Sequence, residues 1–340
     1  LSTSLQAQTE GFYRQPALQG QHVVFVAEGD LWRADVQGGQ AQRLSTHAGY
    51  ETQPAISPDG QWLAFVAQYD GTTGVNGGDV YLMPMAGGRP KRLTWEGLDL
   101  KVWGFSAAGE LLYTGPTQSG QPGTQLYAQD PKTLQRRVLP VAQASDGALS
   151  ADGRTLYFTR SGLRSDNARQ YRGGAIARLW SLDLTGKAEA RPFVAEGAND
   201  RRPMPYRTAQ GEARIAFLSD RDGSVNLWSV SAEGQDLRQH SRHQGWDIRH
   251  ASIHGSRVVY ALGADLHLFD LASGSGARMN IGLGGDFDQQ RERFIKKPQD
   301  FLSHTALAPN GERVLLSSRG RLATAGVGSL RRAELPQAPD

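Results

Sequence analysis

One pattern recurs along nearly the whole chain and constrains its fold more than any other feature. It consists of a short apolar strand, a turn carrying glycine, a second apolar strand, a gap, and a polar–apolar–aromatic triplet that opens a third strand. The clearest copy reads Pro54-Ala55-Ile56-Ser57-Pro58-Asp59-Gly60-Gln61-Trp62-Leu63-Ala64-Phe65-Val66 and resumes at Asp79-Val80-Tyr81-Leu82. In its turn Pro58 presets a negative φ, while Asp59 and Gly60 tolerate the positive φ of a tight hairpin. Related turns are Ser106-Ala107-Ala108-Gly109, Ser150-Ala151-Asp152-Gly153, Thr208-Ala209-Gln210-Gly211 and Ala308-Pro309-Asn310-Gly311, with shortened forms at Gln19-Gly20 and His254-Gly255.

The triplets are Asp30-Leu31-Trp32, Asp79-Val80-Tyr81, Gln125-Leu126-Tyr127, Arg178-Leu179-Trp180, Asn226-Leu227-Trp228 and Asp265-Leu266-His267. Their central residues stand 49, 46, 53, 48 and 39 positions apart. A period of about 40 to 50 residues with four strands per unit marks propeller blades. One such sheet buries neither face alone, whereas blades packed radially cover one another. The expected fold is all-β, a six-bladed β-propeller of four-stranded blades over residues 11–282. Residues 1–10 read as a disordered tail or a signal-peptide remnant, 283–300 as a charged linker, and 301–340 as the partial start of a second propeller. In this last stretch no triplet or full outer strand is visible. The competing reading is a seven-bladed ring. Because residues 15–26 already supply the first two strands of blade one, the ring is expected to be open, without a shared strand, and closed only by side-chain packing between blades one and six.

The 340 residues contain no cysteine and carry 37 basic against 34 acidic side chains. That length buries a real core, which excludes a disulfide scaffold and a disordered chain. A net charge of +3 does not call for nucleic acid, and no run approaches the roughly 18 to 20 apolar residues of a membrane span. Neither is expected as a partner. The small polar stretch Leu1-Ser2-Thr3-Ser4-Leu5-Gln6-Ala7-Gln8-Thr9 suits the surroundings of a secretory cleavage site, so the expected location is periplasmic or exported, with a cytoplasmic one as the alternative.

Catalytic patterns are scarce: the chain has no nucleophile elbow, no His-Glu-x-x-His, no phosphate loop and no Cys pair. His240, His243, His250 and His254 cluster in sequence, but no carboxylate or thiolate is spaced with them to complete a metal site. Asp220-Arg221-Asp222-Gly223 imitates the opening of a calcium loop yet lacks the bidentate Glu that should follow, so a hairpin turn explains it. Gly282-Leu283-Gly284-Gly285 reads as a linker. No cofactor and no metal are expected. The recurrent aromatics Trp32, Tyr81, Tyr127, Trp180 and Trp228 fit inter-blade packing better than a sugar platform. One constellation points to binding: Arg14, Lys101, Arg201 with Arg202, and Arg249 fall just upstream of inner strands, whose ends line one mouth of the central channel. A basic ring there attracts peptide carboxylates.

With its Ser57-Pro58-Asp59-Gly60 and Asp220-Arg221-Asp222-Gly223 turns, the chain resembles the WD40-like blades of the tricorn protease family and of the related TolB-type propellers. Asp30-Leu31-Trp32, the loop Tyr171-Arg172-Gly173-Gly174 ahead of Leu179-Trp180, and Gly234-Gln235-Asp236-Leu237-Arg238-Gln239-His240 match the N-terminal six-bladed propeller of that family in blade position. The resemblance implies a large self-assembling serine peptidase whose active site is built by downstream domains. This chain has no counterpart of the family's catalytic serine and histidine, so no catalytic residue is assigned and whether the chain is itself part of an enzyme is left open. The family holds a substrate's terminal carboxylate with paired arginines just before the third inner strand. The corresponding Trp95-Glu96-Gly97-Leu98-Asp99-Leu100-Lys101 offers Lys101 alone.

The implied role is a non-catalytic propeller that acts as peptide or product channel, size filter and assembly module. Its expected partners are peptides, downstream protease domains of the same polypeptide, and further copies in a homo-oligomer. The expected peptide-contacting residues are Arg14, Lys101, Arg172, Arg201, Arg202 and Arg249. Two other readings stand beside it: a stand-alone TolB-like propeller that docks a protein, and an enzyme with its own metal or carboxylate site in the channel. The last needs convergent acids, whereas the inner-strand starts read as arginines, lysine and neutral residues.

Overall fold

The computed structural model describes residues 11–69, 77–116, 123–161, 169–186, 188–194, 197–284, 297–319, 321–328 and 333–335. The N-terminal tail, most of the charged connector and the last five residues lie outside them. The chain divides into two compact units, residues 1–286 and 287–340.

The first unit is built of six sheets, each an antiparallel meander of four strands running outward from its first strand, with one further strand added to blade one. Blade one comprises Arg14–Gln19, His22–Ala27, Asp30–Asp35 and Gly38–Arg43. The inner strands of blades two to six are Glu51–Ile56, Lys101–Phe105, Asp146–Leu149, Asp200–Arg207 and Ile248–His254. These first strands touch one another in sequence order, and that of blade six touches that of blade one, so the ring closes at six.

Local chemistry explains why each blade folds where it does. The Ser57 hydroxyl donates to Asp59 at 2.5 Å and accepts from the Trp62 N–H at 2.9 Å, which fastens the turn that Pro58 starts and Gly60, at φ 73°, completes. Ser150 and Asp152 repeat the arrangement in blade four. The continuous apolar run of each second strand is required because both faces of a blade are covered. Leu63 and Phe65 pack against Val24, Val26 and Leu31 of blade one, whereas the alternating Ala64 and Val66 face Leu100, Val102 and Tyr113 of blade three. The triplet aromatics join these inter-blade layers: Trp32, Tyr81, Tyr127 and Trp228 are buried and Trp180 is half-buried against the layer between blades three and four.

Closure differs from expectation in one respect. Side-chain packing is not the whole seal: Ile281–Leu283, at the far end of the ring, pairs in parallel with Gly39, Gln40 and Ala41 and gives blade one a fifth strand. The Gly39 N–H donates to the Asn280 carbonyl at 2.7 Å, the Tyr13 hydroxyl to the Ile281 carbonyl at 2.7 Å, and the Tyr13 N–H to the Ala264 carbonyl at 2.9 Å. Gly38, at φ 85°, is needed for the approach, since a β-carbon there would stand 2.4 Å from the Asn280 oxygen. Gly282 and Leu283 are therefore sheet residues, not linker.

The second unit also exceeds expectation. After a 3-10 turn at Pro298–Phe301 it forms a full four-stranded antiparallel sheet, Leu302–Leu307, Arg313–Ser318, Arg321–Gly326 and Ala333–Glu334. The third and fourth strands were not legible because Arg321-Leu322-Ala323 carries no aromatic. Leu302, Leu307 and Leu315 are exposed.

Candidate binding site on the propeller axis

The inner strands of blades one, two, five and six each open with a β-bulge, seen as a register shift between residues 14 and 17, 52 and 55, 201 and 204, and 249 and 252. At each bulge a non-glycine residue is left-handed: Gln15 at φ 51°, Gln53 at 52°, Arg202 at 59° and His250 at 52°. Such a residue costs on the order of 1 to 3 kcal/mol, held here by the ring around it. Three of the four precede proline (Pro16, Pro54, Pro203), a repeated dipeptide that is the sequence trace of the bulge. The bulges bring these four side chains to one cavity of about 160 Å³ on the axis.

Lys101, Arg201, Arg202 and Arg249 line this cavity, with Asp146 as the acidic residue among its lining. Arg14 lines an adjoining cavity of about 460 Å³ that shares Gln15, Gln53 and Lys101, and its guanidinium stands 5.6 Å from the Phe12 ring. Arg172 lines neither; it is exposed on the Tyr171-Arg172-Gly173-Gly174 loop. That loop is anchored by its neighbours, since Gln170 donates its N–H to Asp220 and Asn199 donates its side-chain amide to the Tyr171 carbonyl at 3.2 Å.

Arg202 is engaged rather than open. Its Nε donates to the Ala251 carbonyl at 2.8 Å and its Nη1 to the Trp103 carbonyl at 3.1 Å, with the guanidinium 5.1 Å from the Trp103 ring. Its backbone N–H donates to Asp146 Oδ2 at 2.9 Å. Burial pulls its pKa below the ordinary arginine value, and the Asp146 charge opposes this.

Sequence reasoning missed the acids. Glu51, Asp146 and Asp200 each head an inner strand and are buried, which corrects the expectation of arginines, lysine and neutral residues only. Each has its own partners. Glu51 accepts from Ser45 at 2.8 Å and Tyr69 at 2.7 Å; burial raises its pKa to about 7 against those hydrogen bonds. Asp146 accepts from the Thr159 and Arg202 N–H groups, and Asp200 takes Arg221 Nη2 at 2.9 Å. Burial raises the Asp200 pKa, with Arg221 opposing. The signal was present in Asp200-Arg201-Arg202, where the basic pair drew attention from the acid before it.

The four clustered histidines diverge. His240 meets the Ser229 hydroxyl at 2.8 Å, His243 the Tyr260 hydroxyl at 2.9 Å, His254 the Gln19 side chain at 2.9 Å, and His250 lines the axial cavity. Asp220 and Asp222 hold Asn199 and Asn226 respectively. Among the described residues no group of three or more His, Cys, Asp or Glu side chains is placed to hold a metal ion.

Residues 10–275 match the family described as the tricorn protease N-terminal beta propeller domain. The chain is 34% identical over 283 residues to tricorn protease homolog 1 of Streptomyces coelicolor, covering 81% of this chain and 25% of that protein. It is 27% identical over 317 residues to a tricorn protease homolog of Saccharolobus solfataricus, covering 92% and 28%. It thus spans about a quarter of the length of the curated relatives it matches. Among solved structures, the tricorn protease superposes with a TM-score of 0.76 at 22% identity, covering 97% of this chain and 32% of the other. TolB from Acinetobacter baumannii does so with 0.51 at 14%, covering 96% and 79%.

Proposed function

Because the chain belongs to the tricorn protease N-terminal β-propeller family, we propose that it serves as the non-catalytic propeller of a larger tricorn-like serine protease and receives peptides at its axial mouth by their terminal carboxylates. The observation that carries this reading is the convergence of Lys101, Arg201, Arg202 and Arg249, from blades three, five and six, on one cavity. Four cationic side chains and one carboxylate on the wall suit an anionic chain end. A cavity of about 160 Å³ suits the end of an extended chain better than a folded protein, and action as a size filter is part of the same proposal. Peptide hydrolysis then belongs to other parts of the polypeptide, and assembly with them and with further copies is part of the same proposal. We read residues 302–334 as the first blade of a second propeller, on the strength of their four-stranded meander and exposed faces.

Exposed Trp95 and Trp246, in the loops that lead into inner strands, favour the second reading, a protein-docking propeller of the TolB type. One experiment separates the two. Fluorescence anisotropy with a pentapeptide as free acid and as C-terminal amide is expected to show about tenfold tighter binding of the acid. Arg201→Ala and Arg249→Ala should each shrink that preference. Equal affinity for acid and amide overturns the carboxylate reading.

A further inference from the structure

In a ring of six, blades three and six lie opposite each other. Arg202, rooted in blade five, hydrogen-bonds a carbonyl of each, Trp103 at 3.1 Å and Ala251 at 2.8 Å. A single planar guanidinium that reaches both oxygens spans the axis between these opposite inner strands. The seat is prepared on every side. Left-handed φ at Arg202 turns the side chain inward, Pro203 and the Asp146 hydrogen bond hold the backbone there, and Trp103 supplies a ring face. The Trp103 indole is itself fixed by donation to Thr114 Oγ1 at 2.9 Å. The expected role of Arg202 as one member of a basic ring therefore understates its position.

We propose that Arg202 is a latch that closes the propeller axis and is released when a carboxylate takes its guanidinium from the two carbonyl oxygens. Neutral carbonyls are the weaker partners, since a carboxylate adds its own charge to that of the guanidinium and can accept two parallel bonds from it. Asp146, the acid within reach, already spends its oxygens on the N–H groups of Thr159 and Arg202. A carboxylate entering past Lys101, Arg201 and Arg249 offers a better seat than the one it displaces. The identity of the releasing ligand rests on the function proposed above; the closed state does not.

The test is nuclear magnetic resonance of the full chain labelled on arginine side chains, with the Arg202 Nε–H signal assigned by its loss in Arg202→Lys. Without ligand the signal should be sharp and protected from solvent exchange at least tenfold over exposed arginines. It should shift on adding a free-acid pentapeptide and stay put with the amide. A solvent-averaged Arg202 signal in the free protein overturns the latch. An unmoved signal at a free-acid concentration that anisotropy shows to be bound overturns the release and leaves the carboxylate reading intact. Absence of any peptide binding overturns release and that reading together, while a protected signal still upholds closure.

Discussion

Asp79 takes the Arg92 guanidinium at 2.6 Å across thirteen residues of chain, and the same interval joins Asp30 to Arg43 at 2.5 Å and Asp265 to Arg278 at 3.4 Å. In these three blades the aspartate of the triplet thus ties the head of the third strand to the fourth. Asp79 also accepts from the Thr94 hydroxyl at 2.8 Å and the Glu96 N–H at 2.7 Å, so it gathers the loop that leaves the blade.

Asp79→Ala strips a partly buried cation and several donors of their buried acceptor and is expected to cost about 3 kcal/mol. Asp265→Ala breaks a half-exposed pair and should cost under about 1 kcal/mol. Urea unfolding of both variants checks the order; equal losses would show that the thirteen-residue tie is not what holds the blade edge.

Tyr13→Phe removes the hydroxyl that reaches the Ile281 carbonyl while keeping the ring packed on Phe25. The expected loss is about 1 kcal/mol. Hydrogen exchange should quicken first at residues 281–283. Exchange rising evenly over all blades instead would mean that the fifth strand is not a separate seal.

Arg214 is fully buried, held by Glu212 at 2.9 Å and Asp236 at 2.8 Å. Arg214→Ala leaves both acids and a cavity and is expected to cost about 3 kcal/mol, whereas Arg214→Met fills the space at a smaller penalty. Thermal unfolding distinguishes them, and a methionine variant as damaged as the alanine one would assign the loss to charge.

The pH dependence has two opposed contributions. Glu51, raised from 4.5 to about 7, keeps a proton in the native state that the unfolded chain has shed, so its contribution is full below 4.5 and fades as pH rises towards 7. Burial beside Arg214 and Arg238 lowers His240 from 6.5 to about 4; its contribution is full above 6.5 and is lost as pH falls towards 4. Glu51→Gln should therefore flatten the decline in urea midpoint between pH 5 and 7, and His240→Gln should flatten the decline on the acid side. A Glu51→Gln profile parallel to that of the unmodified protein refutes the assignment.

Blade number and blade boundaries were legible because each unit repeats a local signal, a turn and a triplet, at nearly constant spacing. The seal at Ile281–Leu283 was not, since a three-residue parallel pairing with residues 39–41 leaves no local periodicity to read. The residue types at strand starts pointed to Lys101, Arg201, Arg202 and Arg249 as neighbours, and these four line one cavity. What Arg202 does there was hidden, because its partners are backbone carbonyls of Trp103 and Ala251, and a carbonyl has no letter in the sequence. Arg172 was assigned from a loop motif, and the anchor of that loop, Asp220, was instead read as a failed calcium ligand.

The fifth strand of blade one also decides where the ring is entered and left. The Gly11 N–H donates to the Tyr13 hydroxyl at 3.0 Å, and a β-carbon on Gly11 would stand 2.6 Å from a methyl of Leu283, so the first and last residues of the ring lie side by side on its rim. The propeller is in effect a cassette with both leads at one point of its circumference. It can be spliced into a polypeptide without separating the flanking segments, and a short bridge from residue 284 back to residue 11 would let the chain be reopened in any hairpin turn with all six blades kept.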